Sequence, residues 1–167
     1  MRALTLWQPH ATLMALGVKR WETRSWKAPA SLLGHPLAIH AGKRLDVEAM
    51  KDAAVKKGLD KLSEEPRWLP YGGIVAVVLV VDCRPTNEWD RRMSRRYYRA
   101  SSRPEDFGDF SPGRYAWETK LLLVCKPHIV CRGYQGVWNV PANIAAVLQY
   151  ELDAEEGRKR LKKVASF

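Results

Sequence analysis

Eight consecutive residues, Gly17-Val18-Lys19-Arg20-Trp21-Glu22-Thr23-Arg24, place an amine, a carboxylate, a guanidinium and a hydroxyl beside an indole. An amine three residues from a carboxylate can neutralise a phosphate or polarise a carbonyl. The carboxylate can accept hydrogen bonds from a base edge or act as a general base toward water. Arg24 suits a different task, because its planar fork can hold Glu22 in place. A plainer reading also exists. Lys19 near a helix end is favourable there for its charge alone, and all three groups can simply pair on a solvated hairpin.

The neighbouring elements decide how these side chains are presented. Ala3 to Leu6 is expected to be a strand, and Pro9 suits the first position of a short helix over His10–Leu16. Gly17 then stands where a left-handed residue ends a helix. Lys19 therefore emerges from a helix end into a strand over Arg20–Trp26. If that strand is regular, Glu22, Arg24 and Trp26 share one face, and Trp21 and Thr23 the other. Leu37 to Ala41 is a further strand. Asp46 can cap a helix to about Lys57, ended by Gly58, with Val47, Met50 and Ala54 buried. Ile74 to Val81 is the most apolar stretch, and its valines favour a central strand. Arg114 to Val124 and Ile129 to Cys131 are strand pieces separated by Pro127. A short element follows Tyr134, and a helix starting at Ala142 runs into a basic tail.

The 167 residues fit one domain, 1–167. Lys and Arg total 28 against 18 acidic residues, a net charge of +10. The surplus is local. Residues 84–103 hold seven arginines against Glu88 and Asp90, and 158–163 hold five basic residues and no acid. The rest of the chain is balanced. An arginine-rich excursion (84–113) and a basic C-terminal helix and tail (142–167) are thus expected to meet a polyanion, with arginine matching phosphate geometry. Solubilising surface is the alternative. Tyr97 and Tyr98 can stack on bases or pin the excursion to the core. Cys125, His128 and Cys131 offer zinc-type ligands, but two thiols and an imidazole leave a tetrahedral site incomplete. No metal and no cofactor is expected. The absence of an apolar run of about 18 residues excludes a membrane-spanning helix, and no leader is legible, which suggests the cytoplasm.

The spacing Gly17-x-Lys19-x-x-Glu22-x-Arg24 resembles the signature of the ASCH domain, the activating-signal-cointegrator homology family. Trp7-Gln8-Pro9, Glu22-Thr23-Arg24-Ser25-Trp26, Leu37-Ala38-Ile39-His40-Ala41, Gly73-Ile74-Val75-Ala76 and Gly136-Val137-Trp138-Asn139-Val140 are similar to further landmarks of that family. The resemblance covers about residues 4–141, except the arginine-rich excursion. It implies an α+β, PUA-like fold, a mostly antiparallel β-barrel with flanking helices, and a cleft between barrel and first helix lined by the signature. PUA-like relatives commonly bind RNA, and some ASCH members hydrolyse acetylated cytidine or cleave RNA. One departure stands out. The amidohydrolase members carry a threonine nucleophile three residues after the lysine; here that place is Glu22, and Thr23 follows.

The leading expectation is an RNA- or nucleotide-binding domain. Gln8, Lys19, Glu22, Arg24, Trp26 and Lys43 would contact the ligand. Arg91, Arg92, Arg95, Arg96, Arg99, Lys159 and Arg160 would contact the phosphate backbone. One alternative is a hydrolase of a modified nucleoside, or a ribonuclease, with Lys19 and Glu22 catalytic. The other is a protein–protein adaptor. Gln8 can equally satisfy backbone at its turn. Trp7, Trp26 and Trp138 can add stacking surface, although burial is the plainer role for each. His40 in an apolar strand is more readily a satisfied core residue than a catalyst. Lys43 and Arg44 follow that strand as phosphate contacts. Neither ligand identity nor oligomeric state is set by these features.

Overall fold

The computed structural model describes residues 1–60, 62, 69–88 and 107–164. The arginines expected to hold phosphate, Arg91, Arg92, Arg95, Arg96 and Arg99, lie outside the described residues, as do Tyr97 and Tyr98.

One mixed six-stranded sheet organises the chain. Its strands are β1 (Arg2–Gln8), β2 (Trp21–Arg24), β3 (Pro36–Leu45), β4 (Gly73–Pro85), β5 (Tyr115–Val130) and β6 (Val137–Asn139). The spatial order is β2-β5-β4-β3-β1-β6. The valine-rich β4 lies inside, antiparallel to β3 and β5, as its apolar run requires. β1 runs parallel to β3, with Leu4 opposite Ile39, and β6 is antiparallel to β1. Among the described residues the ladder ends at β2 and β6, so hydrogen bonding does not close it into the expected barrel.

Period-2 alternation divides the core between the two faces of the sheet. Leu4, Leu6, Ile39, Val78 and Trp117 form one cluster with Ala11 and Met14 of helix α1 (His10–Ala15). Ala3, Ala38, Val77 and Leu123 join Leu148 and Leu152 of the terminal helix α3 (Ala142–Val164) in another. In a third, Leu13 meets Val55 and Leu59 of helix α2 (Ala53–Leu59), Leu69 and Phe107.

Several sequence expectations need correction. Pro9 precedes α1 instead of opening it, and the Gln8–Pro9 peptide is cis. The helix expected from Asp46 is two pieces, because two aspartates each cap their own turn. Asp46 Oδ1 accepts from the Ala49 amide at 3.0 Å before a 3-10 turn at Ala49–Lys51, and Asp52 Oδ1 accepts from Ala54 and Val55 at the start of α2. The buried stripe therefore moves to Val55, Gly58 and Leu59, while Val47 is exposed. Pro127 does not end β5. The pairing slips between Ile74–Ile129 and Ala76–Val124, and the proline occupies the resulting bulge, where no ladder N–H is demanded of it. The basic tail is also less bare than its composition implies. Arg158 and Lys159 reach Glu155 at 2.8 and 3.5 Å, and Arg160 reaches Glu156 at 3.7 Å.

Candidate functional site

The first turn after β1 is built by Gln8. Its side-chain amide is fully buried; Nε2 donates to the Pro70 carbonyl at 2.5 Å and Oε1 accepts from the Thr12 amide at 3.1 Å. Both ends are committed to backbone, so Gln8 is a structural residue of the turn and not the ligand contact expected of it. At the other end of α1, Gly17 has φ +68°, the left-handed conformation expected there. The amides of Val18 and Lys19 both return to the Leu13 carbonyl at 3.0 Å. This closure fixes where the Lys19 side chain leaves the backbone.

Lys19 Nζ lies 3.2 Å from Glu22 Oε2 and donates to the Phe107 carbonyl at 2.5 Å. Arg24 Nε stands 3.1 Å from Glu22 Oε1, and an Arg24 Nη2 proton goes to the Thr5 carbonyl at 3.3 Å. The carboxylate is thus held on both oxygens. Lys19 is only 3% exposed and Glu22 8%. Burial pushes the Glu22 carboxyl up, but Lys19 and Arg24 outweigh it and hold the group below its ordinary value. Burial also pulls the Lys19 ammonium below its usual value, against the attraction of Glu22. The ionised Glu22 carboxylate at 3.2 Å is the main influence that favours the ammonium form.

These groups line a cavity of about 570 Å³, bounded by Trp7 and His10 on one side and by Phe107, Gly108 and Asp109 on another. His10 Nε2 lies 3.2 Å from Asp46 Oδ2. Burial and then the Lys19 charge pull the His10 pKa down, which favours the neutral ring. Arg114, 3.4 Å from Asp109, donates to the Thr23 carbonyl at 3.3 Å. The described wall holds three basic side chains, Lys19, Arg24 and Arg114, and five carboxylates, Glu22, Asp46, Glu48, Asp52 and Asp109. Such a wall offers donors and acceptors to a neutral polar ligand but repels a dense anion.

Thr23 also lines this cleft, contrary to strand parity. A Cβ added at Gly108 would sit 3.1 Å from Thr23 Oγ1 and 3.3 Å from Lys19 Nζ, so both polar atoms border the space that glycine leaves. β2 is an edge strand of the sheet, and Gly108 lies close to both Thr23 and Lys19. Parity in an edge strand therefore does not separate Thr23 from Glu22.

Of the expected contacts, Lys19, Glu22 and Arg24 come together. Trp26 does not line the cavity; it packs edge-on against Trp117 at 4.7 Å. Lys43 lines a neighbouring groove. Lys159 and Arg160 belong to the exposed part of α3 and border neither. His10, Asp46, Thr23, Gly108, Asp109 and Arg114 line the cleft without having been foreseen as contacts. His10, at the start of the helix that Gly17 ends, carried a usable signal; residues 107–114, distant in sequence, carried none. Among the described residues no group of three or more His, Cys, Asp or Glu side chains is arranged to hold a metal. Cys125 and Cys131 pack beside the second apolar cluster, where burial raises the Cys125 thiol to about 11. No described helix is long and apolar enough to cross a membrane.

The model of the ASCH domain family matches residues 4–130. No curated protein matches the sequence significantly. Among solved structures, the chain is similar to the crystal structure of ASCH from Zymomonas mobilis, with a TM-score of 0.53 and 12% identity over 89% of this chain and 93% of that one. A mutant form of the same Zymomonas mobilis protein aligns with a TM-score of 0.48 and 11% identity over 89% and 96% of the two chains. At such identity the likeness concerns the fold.

Proposed function

Since the chain belongs to the ASCH domain family, which is PUA-like, we propose that its cleft binds the base of a nucleotide or an RNA. One observation carries this reading: Lys19 and Glu22, buried and paired with each other, with Arg24 on the second carboxylate oxygen, line a cavity of about 570 Å³. Burying such charges costs several kcal/mol of desolvation that an apolar cluster would avoid. The three apolar clusters that make the core contain neither residue, although Leu6, Val55 and Phe107 of two of them reach the cleft wall. Their value lies in being fixed before a ligand arrives, as donors and acceptors at set positions. The third ammonium proton of Lys19 is left for a base carbonyl or ring nitrogen. The cavity size falls within the usual range of about 300–1,000 Å³ for small-molecule sites. The carboxylate-rich wall favours the uncharged base over its phosphate.

The reading is tested by calorimetric titration of the four common nucleosides and acetylated cytidine. At least one should bind, and Lys19→Met and Glu22→Gln should each weaken it by about 10- to 100-fold, the loss of a hydrogen bond to a charged group. Unchanged affinity in both variants would overturn it.

A second reading, a hydrolase acting on an acylated nucleoside, is favoured by the convergence of Thr23 Oγ1 and Lys19 Nζ beside Gly108. Thr23 would attack the acyl carbonyl, its hydroxyl proton passing through water to the departing nucleoside amine, while the ammonium stabilises the developing oxyanion; water would then hydrolyse the threonine ester and release acetate. Acetate release from acetylated cytidine that disappears in Thr23→Val supports it; turnover unchanged in that variant removes Thr23 from the chemistry.

A further inference from the structure

A second groove, of about 930 Å³, adjoins the cleft and shares Thr5, Trp7 and Arg24 with it. Its chemistry is opposite. Lys43, Arg44 and Arg132 stand in its wall beside Arg24, and its described lining contains no carboxylate. Lys43, Arg44 and Arg132 are exposed, and none has a carboxylate partner among the described residues. Two aromatic rings share the wall and are about half exposed, Trp7 at 48% and Tyr134 at 51%. Each carries a guanidinium over its face, Arg44 over Trp7 and Arg132 over Tyr134, both at 5.3 Å.

An indole left half in water, capped by an unpaired arginine, contributes little to a fold. The same unit is suited to a base stacked on the ring with its phosphate on the guanidinium. Tyr134 is fixed from behind by an edge contact with Trp138 at 5.5 Å, and Trp138 is pinned by its Nε1 proton to Thr5 Oγ1 at 3.1 Å. The groove floor is equally set, since a Cβ at Gly133 would fall within 2.4 Å of the His40 ring.

We propose that this groove holds the sugar–phosphate chain and a stacked base of a single-stranded nucleic acid, continuing the strand whose base occupies the cleft. This rests on the cleft reading above. Arg24 is the threshold, bound to Glu22 on the cleft side and lining the groove on the other. The partner is single-stranded because a duplex keeps its bases from both rings. It is a nucleic acid and not an acidic peptide because stacking faces alternate with the cations.

Fluorescence anisotropy with labelled ten-nucleotide RNA and DNA strands tests this, beside titration of the free nucleoside that fits the cleft. The variant Lys43→Ala/Arg44→Ala/Arg132→Ala should weaken strand binding at least tenfold and lower the salt slope by about 2, given about 0.7 per phosphate contact on single strands. It should leave nucleoside affinity unchanged. Tyr134→Ala should cost about tenfold and Tyr134→Phe almost nothing, since the ring face is what stacks. Equal affinity for duplex, or competition by poly-glutamate as effective as by RNA, would overturn the proposal. So would strand binding that the triple variant leaves intact. If the nucleoside binds but a strand binds no tighter, the groove fails and the cleft stands; if strands bind through the groove without any nucleoside affinity, the reverse holds. The three substituted residues are exposed, and a thermal melt matching the wild type confirms that the triple variant is folded.

Discussion

The cleft and the groove are built from the same strand, share a wall, and differ in every electrostatic respect. At the centre of the cleft the charges are buried and compensated: Glu22 is held between Lys19 and Arg24. In the groove the cations are exposed and lean on aromatic rings instead of carboxylates. Burial explains the division. A buried charge without a partner is untenable, so the cleft can keep Lys19 only with Glu22. An exposed guanidinium is solvated and can wait for its counterion. The two regions suit two halves of one ligand, a base that needs fixed hydrogen-bond geometry and a phosphate that needs only positive charge.

The difference can be tested most severely at Glu22. Glu22→Leu leaves the Lys19 ammonium buried beside Arg24 and should cost about 3–5 kcal/mol in a denaturant titration. Arg132→Leu, in the groove, should stay within about 0.5 kcal/mol. Similar losses in the two variants would break the contrast between compensated and free charge. Glycines separate the regions by a smaller margin. Gly133→Ala drives a Cβ to 2.4 and 2.5 Å from the buried His40 ring and should cost about 1–3 kcal/mol. Gly108→Ala meets its neighbours at 3.1 and 3.3 Å, so it should spare stability while displacing cleft ligand, because it fills the space between Thr23 and Lys19.

Protons give a finer test. His10 in the cleft and His40 under the groove both have pKa values below 6.5, burial being the main cause. The unfolded chain therefore takes up these protons first. The stability they contribute is complete above about pH 6.5 and declines as pH falls toward the folded values. Denaturant midpoints measured from pH 7.5 to 5 should show this slope, and His10→Asn and His40→Gln should each flatten part of it. Glu22, with a depressed pKa, adds a further loss only below about 4.5, as pH falls through its folded value. The smallest effect belongs to the tail. Lys159→Ala should change stability by about 0.3–0.5 kcal/mol, the worth of an exposed helical pair with Glu155.

Much of this arrangement was legible from local chemistry. Gly17 announced the left-handed helix end that aims Lys19, and the valine run of β4 announced an interior strand. The pairing of Arg24 with Glu22 followed from the fork geometry of a guanidinium. A residue's role is not legible where it depends on a distant segment. Gln8 suits a base edge or the backbone of its turn equally well, and only the approach of Pro70 selects the backbone, with one bond to Pro70 and one to Thr12. Strand parity turns Thr23 away from Glu22, and it cannot anticipate that Gly108, 85 positions further on, lies close to both Thr23 and Lys19. The helix from Asp46 was misjudged because Asp52 caps its own turn.

The sequence by itself determined most of the elements, the family and the charged triplet of Lys19, Glu22 and Arg24, because propensity, caps and short spacings act within a few residues. Only the tertiary structure decided that Phe107 closes over Lys19, that Thr23 and His10 join the cleft, and that Lys43, Arg44 and Arg132 gather beside Trp7 and Tyr134. Those residues stand up to about 130 positions apart in the sequence, and strand order alone, through the pairing of β1 with β3 and β6, brings them to one wall.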